Sequence, residues 1–272
     1  MKHTKKSAMS FIPLLLMAIF FVLITSSKAH AYAFTSDFKN GFYWGSFPIQ
    51  MTKFAPVSSD SAMLETLANQ AVADWEAVIG KDIWHMSPVQ NNSNYSGNYI
   101  KWSDNFGAET GYDPSRTLAI TIRYNQGTFF QSTVIILNGS ISYLRQNWGN
   151  TLKITILHEV GHTIGLDHSS DASAVMAASL GTVTQLQPDD IQGANAVIDE
   201  TLRRQSVGFV SPLAASEKKV AACGSVEDIS KSSGGSGGAM ANFMGSLIFG
   251  MLVIAVIGKA EKLKRQKVFI KY

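Results

Sequence analysis

The segment from His158 to His168 restricts the fold of this chain more than any other feature. It has the pattern H-E-x-x-H-x-x-G-x-x-H, in which His158 and His162 are four positions apart. Side chains four positions apart on a helix leave the same face one turn apart, so both imidazoles reach one metal ion. Gly165 lets the chain leave that helix in a conformation that most residues avoid, and the reversal brings His168 to the same ion.

These residues predict a hydrolytic zinc site. Three imidazoles, from His158, His162 and His168, leave one position of a tetrahedral zinc ion open for water. Zinc lowers the pKa of such a water to about 7, and Glu159 is the predicted general base that takes its proton. We therefore expect one catalytic zinc ion and peptide-bond hydrolysis. The alternative is a zinc-binding recognition or adhesion module with little turnover, although such a module has no need of a general base.

Apolar patterning on either side of this segment predicts a chain of mixed strands and helices. Strands are expected at 49–54, 82–86, 98–102, 117–124 and 131–137. Helices are expected from about Asp60 to Gly80, from Asn150 or Thr151 to Ile164, and from Pro188 through Leu202. The order strand, helix, several strands, helix, helix indicates an α/β or α+β fold with a mixed sheet.

Beyond the histidines, the sequence resembles the metzincin metallopeptidases, and within them the matrixins. Ser169 follows the third histidine, Met176 stands where metzincins have their methionine turn, and residues 186–193 resemble the start of the matrixin C-terminal helix. The resemblance implies a zincin-like fold, with a twisted mixed β-sheet, a long active-site helix and a C-terminal helix. It also implies an edge strand that pairs with an extended protein or peptide substrate through backbone groups, and Thr117–Tyr124 is the candidate.

The chain departs from the animal matrixins at several positions. No cysteine stands between Ala31 and the catalytic domain, and the only other histidine of residues 32–238 is His85, so the second, structural zinc site of those enzymes lacks its ligands. Asn138-Gly139-Ser140 replace the acidic calcium-binding run, which leaves a calcium ion without support in the sequence. Ala178-Ser179-Leu180 replace the usual Pro-x-Tyr, so side-chain specificity stays open.

The N-terminus predicts export. Lysines precede a nearly uniform apolar stretch at 11–23, and alanines at 29 and 31 supply the small residues that a signal peptidase reads. We expect residues 1–31 to be a signal peptide and residues 32–204 to form the exported catalytic domain.

The C-terminus predicts a membrane segment. Residues 205–238 end in a Gly/Ser-rich run and are expected to be a linker. Residues 239–258 carry no charge and are long enough to cross a bilayer, and the basic tail at 259–272 is predicted to stay in the cytoplasm. Two fates remain open. The helix is either a permanent anchor, with the catalytic domain outside the cytoplasm, or a sorting signal that a processing protease cuts to release or transfer the protein to the cell surface.

Charge and cysteine content exclude two further possibilities. The whole chain has a net charge of +3, but residues 32–238 hold 13 Lys and Arg against 19 Asp and Glu, a balance of about −6. A nucleic-acid partner is therefore not expected. The single cysteine, Cys223, forms no internal disulfide.

Overall fold

The computed structural model describes residues 30–146, 150–215 and 219–228. Almost all of the predicted signal peptide, and all of the predicted membrane helix at 239–258 with its basic tail, lie outside the described residues. Within them, none of the helices is both long enough and apolar enough to cross a membrane.

The described residues form six helices and nine strands. The helices are α1 (Ser36–Lys39), α2 (Ser58–Ile79), α3 (Phe106–Thr110), α4 (Ser142–Gln146), α5 (Asn150–Ile164) and α6 (Pro188–Ser206). The strands are β1 (Ala33–Phe34), β2 (Ile49–Phe54), β3 (Trp84–Met86), β4 (Asn98–Ser103), β5 (Thr117–Gln126), β6 (Phe129–Asn138), β7 (Leu166–Asp167), β8 (Ser179–Leu180) and β9 (Lys219–Asp228).

Seven of these strands form one mixed sheet in the order β3-β2-β4-β6-β5-β9-β8. Strands β3, β2, β4 and β6 run parallel, β5 runs antiparallel to β6, and β9 runs antiparallel to β5. A separate two-stranded sheet pairs β1 with β7, and it ties Phe34 to Leu166 just after the predicted active-site helix. The predicted mixed α/β fold is therefore confirmed.

Helix α5 is enclosed by the other described elements, and every residue from Ile154 to Ile164 is buried. It packs against α2, α6 and strand β5. Two tryptophans fix its position by hydrogen bonds, because Trp75 Nε1 donates to the carbonyl of Leu157 and Trp44 Nε1 to that of Thr163, each at 2.8 Å. A helix buried on all sides cannot slide without breaking these bonds.

Several predicted elements match the structure closely. Strand β2 and helix α5 have the predicted bounds. Helix α2 ends at Ile79 and is followed by its C-cap Gly80, whose φ of 70° is the left-handed conformation expected of glycine. The predicted strand at Thr117–Tyr124 forms as part of β5. Its apolar side chains alternate with Thr121 and Arg123, yet both of these polar residues are wholly inaccessible to solvent.

The structure differs most from the sequence prediction after residue 204. Within the range 205–238, expected to be a linker, residues 205 and 206 complete α6, and 219–228 form strand β9 on β5. Strand β5 is therefore not at the edge of the sheet, as the substrate-binding role implied. The run from Val220 to Ser225 is poor in β-branched and aromatic residues, so its strand propensity gives little signal.

Candidate active site

A glycine turn brings the third histidine back to the helix that carries the first two. Gly165 ends α5 with φ of 111°, which favours glycine, and a Cβ there would lie 3.0 Å from Phe38 Cδ2. Its N–H donates to the carbonyl of His162 at 3.1 Å, and its own carbonyl accepts from the N–H of Thr35. The chain then runs through β7 to His168.

The three histidines meet as predicted. One ring nitrogen from each of His158, His162 and His168 lies within 4.8 Å of the others. The ring centroids are separated by 4.6 Å between His158 and His162, and by 5.3 and 5.1 Å from these two to His168. His158 and His162 are fully buried. This spacing suits three nitrogen ligands of one small cation.

Backbone carbonyls set the tautomers of the two buried rings. His158 Nδ1 lies 2.7 Å from the carbonyl of Val175, and His162 Nδ1 lies 2.7 Å from that of Leu166. Each Nδ1 must donate its proton there, which leaves both Nε2 atoms as acceptors. These two Nε2 atoms face each other at 2.9 Å. Two lone pairs at that distance repel unless a cation lies between them and the third ring, so the residues fit a zinc ion.

The surroundings of the histidines keep them neutral. Burial, with the nearby His168 adding to it, lowers the pKa of His158 to about 3. Burial and the two neighbouring histidines hold the pKa of His162 well below its usual range. Neutral imidazole is the form that binds a metal, so no proton has to leave either ring at neutral pH.

Glu159 is the carboxylate beside this cluster, and it is fully buried. Thr121 Oγ1, on β5, donates to its Oε2 at 2.6 Å. Its Oε1 has no hydrogen-bond partner among the described residues. Burial raises the pKa of Glu159 well above its ordinary value, although the Thr121 hydrogen bond and the charge of Arg123 act in the opposite direction. One oxygen is thus held in place, and the other is available to a proton.

The methionine turn at Met176 lies against helix α5. Met176 is buried, and the carbonyl of Val175 beside it accepts from His158. A Cβ on Gly161 would come within 2.6 Å of Met176 Sδ and 2.8 Å of Trp75 Cζ2. The turn can approach the metal-binding helix this closely because residue 161 has no side chain.

A single carboxylate from α6 holds the methionine turn. The side chain of Asp190 accepts from the backbone N–H groups of Val175, Met176 and Gln187 at 2.8, 2.9 and 2.8 Å. Burial raises the pKa of Asp190 above its ordinary value, with the three N–H donors opposing that shift. Its neighbour Asp189 accepts from Ser169 Oγ and from the backbone nitrogens of residues 31 and 32.

A buried ion pair braces the other side of α5. Arg123 donates from Nε and Nη2 to the two carboxylate oxygens of Asp37 at 2.8 and 3.0 Å. Its Nη1 donates to the carbonyl of His162 at 2.7 Å. Burial alone would raise the pKa of Asp37, but the charge and hydrogen bonds of Arg123 bring it below the ordinary value. Helix α1, strand β5 and the active-site helix are therefore joined through one guanidinium.

The structure brings together the residues predicted from the sequence and adds supporting ones. His158, Glu159, His162, Gly165, His168 and Met176 form one site, whereas His85 is exposed on β3 and belongs to no metal-binding group among the described residues. Sequence reasoning missed Thr121, Arg123 and Asp37. It placed Asp190 only within the predicted C-terminal helix. Residues 59–198 of the chain match the family model described as matrixin.

Proposed function

Because this chain belongs to the matrixin family of zinc metallopeptidases, we propose that it is an endopeptidase that cleaves protein substrates with Glu159 as general base. One observation carries the proposal. Glu159 follows His158 on the helix that carries two of the three converging imidazoles, and its buried carboxylate has one oxygen anchored by Thr121 and the other without a partner among the described residues.

The residues divide the chemistry among them. His158, His162 and His168 would hold the zinc ion, which when bound polarises the scissile carbonyl and acidifies water. Glu159 takes the proton of the attacking water on its free oxygen and returns it to the leaving amine. Thr121 keeps the carboxylate from rotating while the proton is held. Arg123 and Asp190 act by fixing the backbone of the site.

The competing function is a zinc-binding recognition module on the same fold. Such a module would need the histidines but not Glu159. A carboxyl group buried without a full set of hydrogen-bond partners costs stability, so a fold that only binds zinc gains nothing from retaining it. The position of Glu159 therefore favours hydrolysis over recognition.

The test compares zinc binding with turnover in the full-length protein. We expect the zinc-loaded protein to cleave unfolded casein and a chelator to abolish cleavage. Glu159→Gln should keep one zinc ion per chain and lose activity by about 10²-fold or more, since general-base catalysis contributes at that level. Equal cleavage by the wild-type protein and by this variant, with zinc content confirmed, would exclude Glu159 from the mechanism.

We also propose that the catalytic domain acts outside the cytoplasm after cleavage at Ala31. Tyr32 N lies 3.0 Å from Asp189 Oδ1, so a new ammonium group at Tyr32 would meet a carboxylate. Intact-mass measurement of the protein from native cells tests both ends. We expect an N-terminus at Tyr32. A C-terminus near Gly235 or Gly238 supports processing, whereas one at Tyr272 in the membrane fraction supports a permanent anchor.

A further inference from the structure

Strand β9 occupies the side of β5 on which an extended peptide would pair. Its backbone runs antiparallel to β5, from Asn125 opposite Lys219 to Thr117 opposite Glu227. In the sheet order it lies between β5 and β8, the short strand just beyond the methionine turn. The backbone N–H and C=O groups along one edge of a strand serve one neighbour at a time. A substrate therefore cannot add to this edge of β5 while β9 is in place.

The register brings β9 to the catalytic residues. Thr121, which donates to Glu159, is paired with Cys223. On either side, Ile122 is paired with Ala222 and Ile120 with Ser225, with a register shift between Ile120 and Thr121. The middle of β9 thus lies beside the strand position that holds the general base, and its two ends extend along β5 in both directions.

The side chains around the predicted metal site are mostly buried. His158, Glu159 and His162 have no exposed surface, whereas His168 is partly exposed. A peptidase must admit both water and a peptide to these groups, and β9 pairs along the strand whose Thr121 holds Glu159.

We propose that Lys219–Asp228 is an internal, substrate-like segment that pairs with β5 and holds the peptidase activity of the full chain at a low level until it is displaced. This inference rests on the proposed function. The segment is rich in small residues, including Ala221, Ala222 and Gly224, which have little strand preference of their own. Glycine within a strand weakens it, which suits an occupant that must leave. Its tether to α6 keeps it at a high local concentration, and this offsets its weak binding.

The test uses the full-length, zinc-loaded protein with the double substitution Ala221→Pro and Ala222→Pro. Proline removes backbone donors and is not tolerated within a paired strand. We expect kcat/KM for a fluorogenic decapeptide to rise by at least about tenfold, because a tethered competitor acts at roughly millimolar effective concentration. Ala221→Val with Ala222→Val is the matched control, which keeps every backbone group and favours the strand, and we expect it to stay inhibited. Cys223→Ala also keeps the backbone, and activation equal to that of the proline variant would assign the block to the thiol and overturn the proposal.

Hydrogen exchange provides a measurement that does not depend on catalysis. In the Glu159→Gln background, amides of β5 and β9 should be protected, and the proline pair should accelerate exchange at both. Fast exchange across β9 in the protein without the proline pair would overturn the proposal, even if the proline variant fails to fold. A synthetic peptide of residues 219–228 should inhibit the proline variant, and a scrambled peptide should not.

The outcomes separate the two proposals. If the proline variant and the wild-type protein are equally active, the inhibitory role is wrong and the peptidase function stands. If no form cleaves peptide although zinc is bound, the peptidase function is wrong and the inhibitory role is wrong as well. Hydrogen exchange would still report whether β9 pairs with β5. Rapid cleavage of the wild-type chain within 219–228, seen by intact mass, would make the segment a self-processing site instead.

Discussion

Thr121 Oγ1 donates a hydrogen bond of 2.6 Å to Glu159 Oε2, linking the middle of β5 to the predicted general base. We expect Thr121→Val, which keeps the shape and removes the donor, to lower kcat about tenfold with little change in KM. A buried carboxylate oxygen that loses its hydrogen-bond donor costs on the order of 1–3 kcal/mol. If a similar amount is added to the activation barrier, the rate falls about tenfold for every ~1.4 kcal/mol. Steady-state kinetics at fixed zinc content measure this.

Thr121→Ser is the matched control because it restores the donor on a smaller side chain. We expect it to recover most of kcat. A rise in KM alone, or equal loss in the Val and Ser variants, would show that Thr121 acts through packing and not through the carboxylate.

The zinc content should depend on all three histidines. His168→Ala removes one of three ligands, and we expect zinc affinity to fall more than about 100-fold, since loss of an outer partner alone costs 10- to 100-fold. Metal analysis after dialysis against a weak chelator measures the effect, with His85→Ala as the control because His85 is exposed on another strand. Wild-type protein that retains two zinc ions per chain would contradict the single-site prediction.

Gly161 should not tolerate a side chain. A Cβ there would lie 2.6 Å from Met176 Sδ and 2.8 Å from the rigid ring carbon Trp75 Cζ2. We expect Gly161→Ala to destabilise the fold by about 2 kcal/mol through overpacking. Urea unfolding measures this against Gly181→Ala, where the nearest atom to a new Cβ is 3.5 Å away. Equal midpoints for the two variants would mean that the methionine turn shifts freely.

Asp190, in the first turn of α6, should contribute strongly to the free energy of unfolding because its side chain is buried. Asp190→Ala leaves three backbone N–H donors without their acceptor, and we expect a loss of about 3 kcal/mol or more. The control is Asp199→Ala, an exposed aspartate of the same helix. Thermal unfolding of both variants decides this, and similar melting temperatures would contradict the bracing role.

The Asp37–Arg123 pair should make stability depend on pH in the acid range. The pKa of Asp37 is lower in the folded protein than its ordinary 3.8. Its contribution is therefore complete above about pH 4 and is lost as the pH falls through the lowered folded-state value. We expect Asp37→Asn to cost about 3 kcal/mol at pH 7, because it leaves a buried guanidinium without its counter-charge.

Urea unfolding at pH 7, 4 and 3 tests the acid dependence. The difference in unfolding free energy between Asp37→Asn and the wild-type protein should narrow toward the lowest pH, and Asp82→Asn, at an exposed aspartate, controls for the loss of a surface carboxylate. A gap that stays constant from pH 7 to 3 would assign the effect to packing.

The ligand set was the part of the site most accessible from sequence. Histidines four positions apart meet on any helix, and a glycine that adopts φ of 111° can return the chain to them, so local geometry determines most of the arrangement. The apolar patterns of α5 and β2 also predicted the first and last residues of these two elements correctly.

Contacts between distant segments were not accessible in this way. Thr121 and Arg123 lie on the face of β5 that alternation marks as polar, yet both are fully buried because α5 covers that face. Their burial depends on Glu159 and Asp37, which stand far away in the chain. Strand β9 was missed for a related reason, since it is held by pairing with β5 rather than by side chains with strong strand preference.

The carboxylate of Asp190 also fixes an order of assembly. All three histidines precede Asp190 in the chain and are therefore synthesised before it. Asp190 lies on the last helix among the described residues. Until that helix docks, nothing holds the N–H groups of Val175 and Met176, and the carbonyl that orients His158 is not fixed. A nascent chain therefore carries three histidines but no preorganised site. Tight metal capture follows folding of the whole domain, and a chain truncated before residue 190 should be unable to acquire its ion.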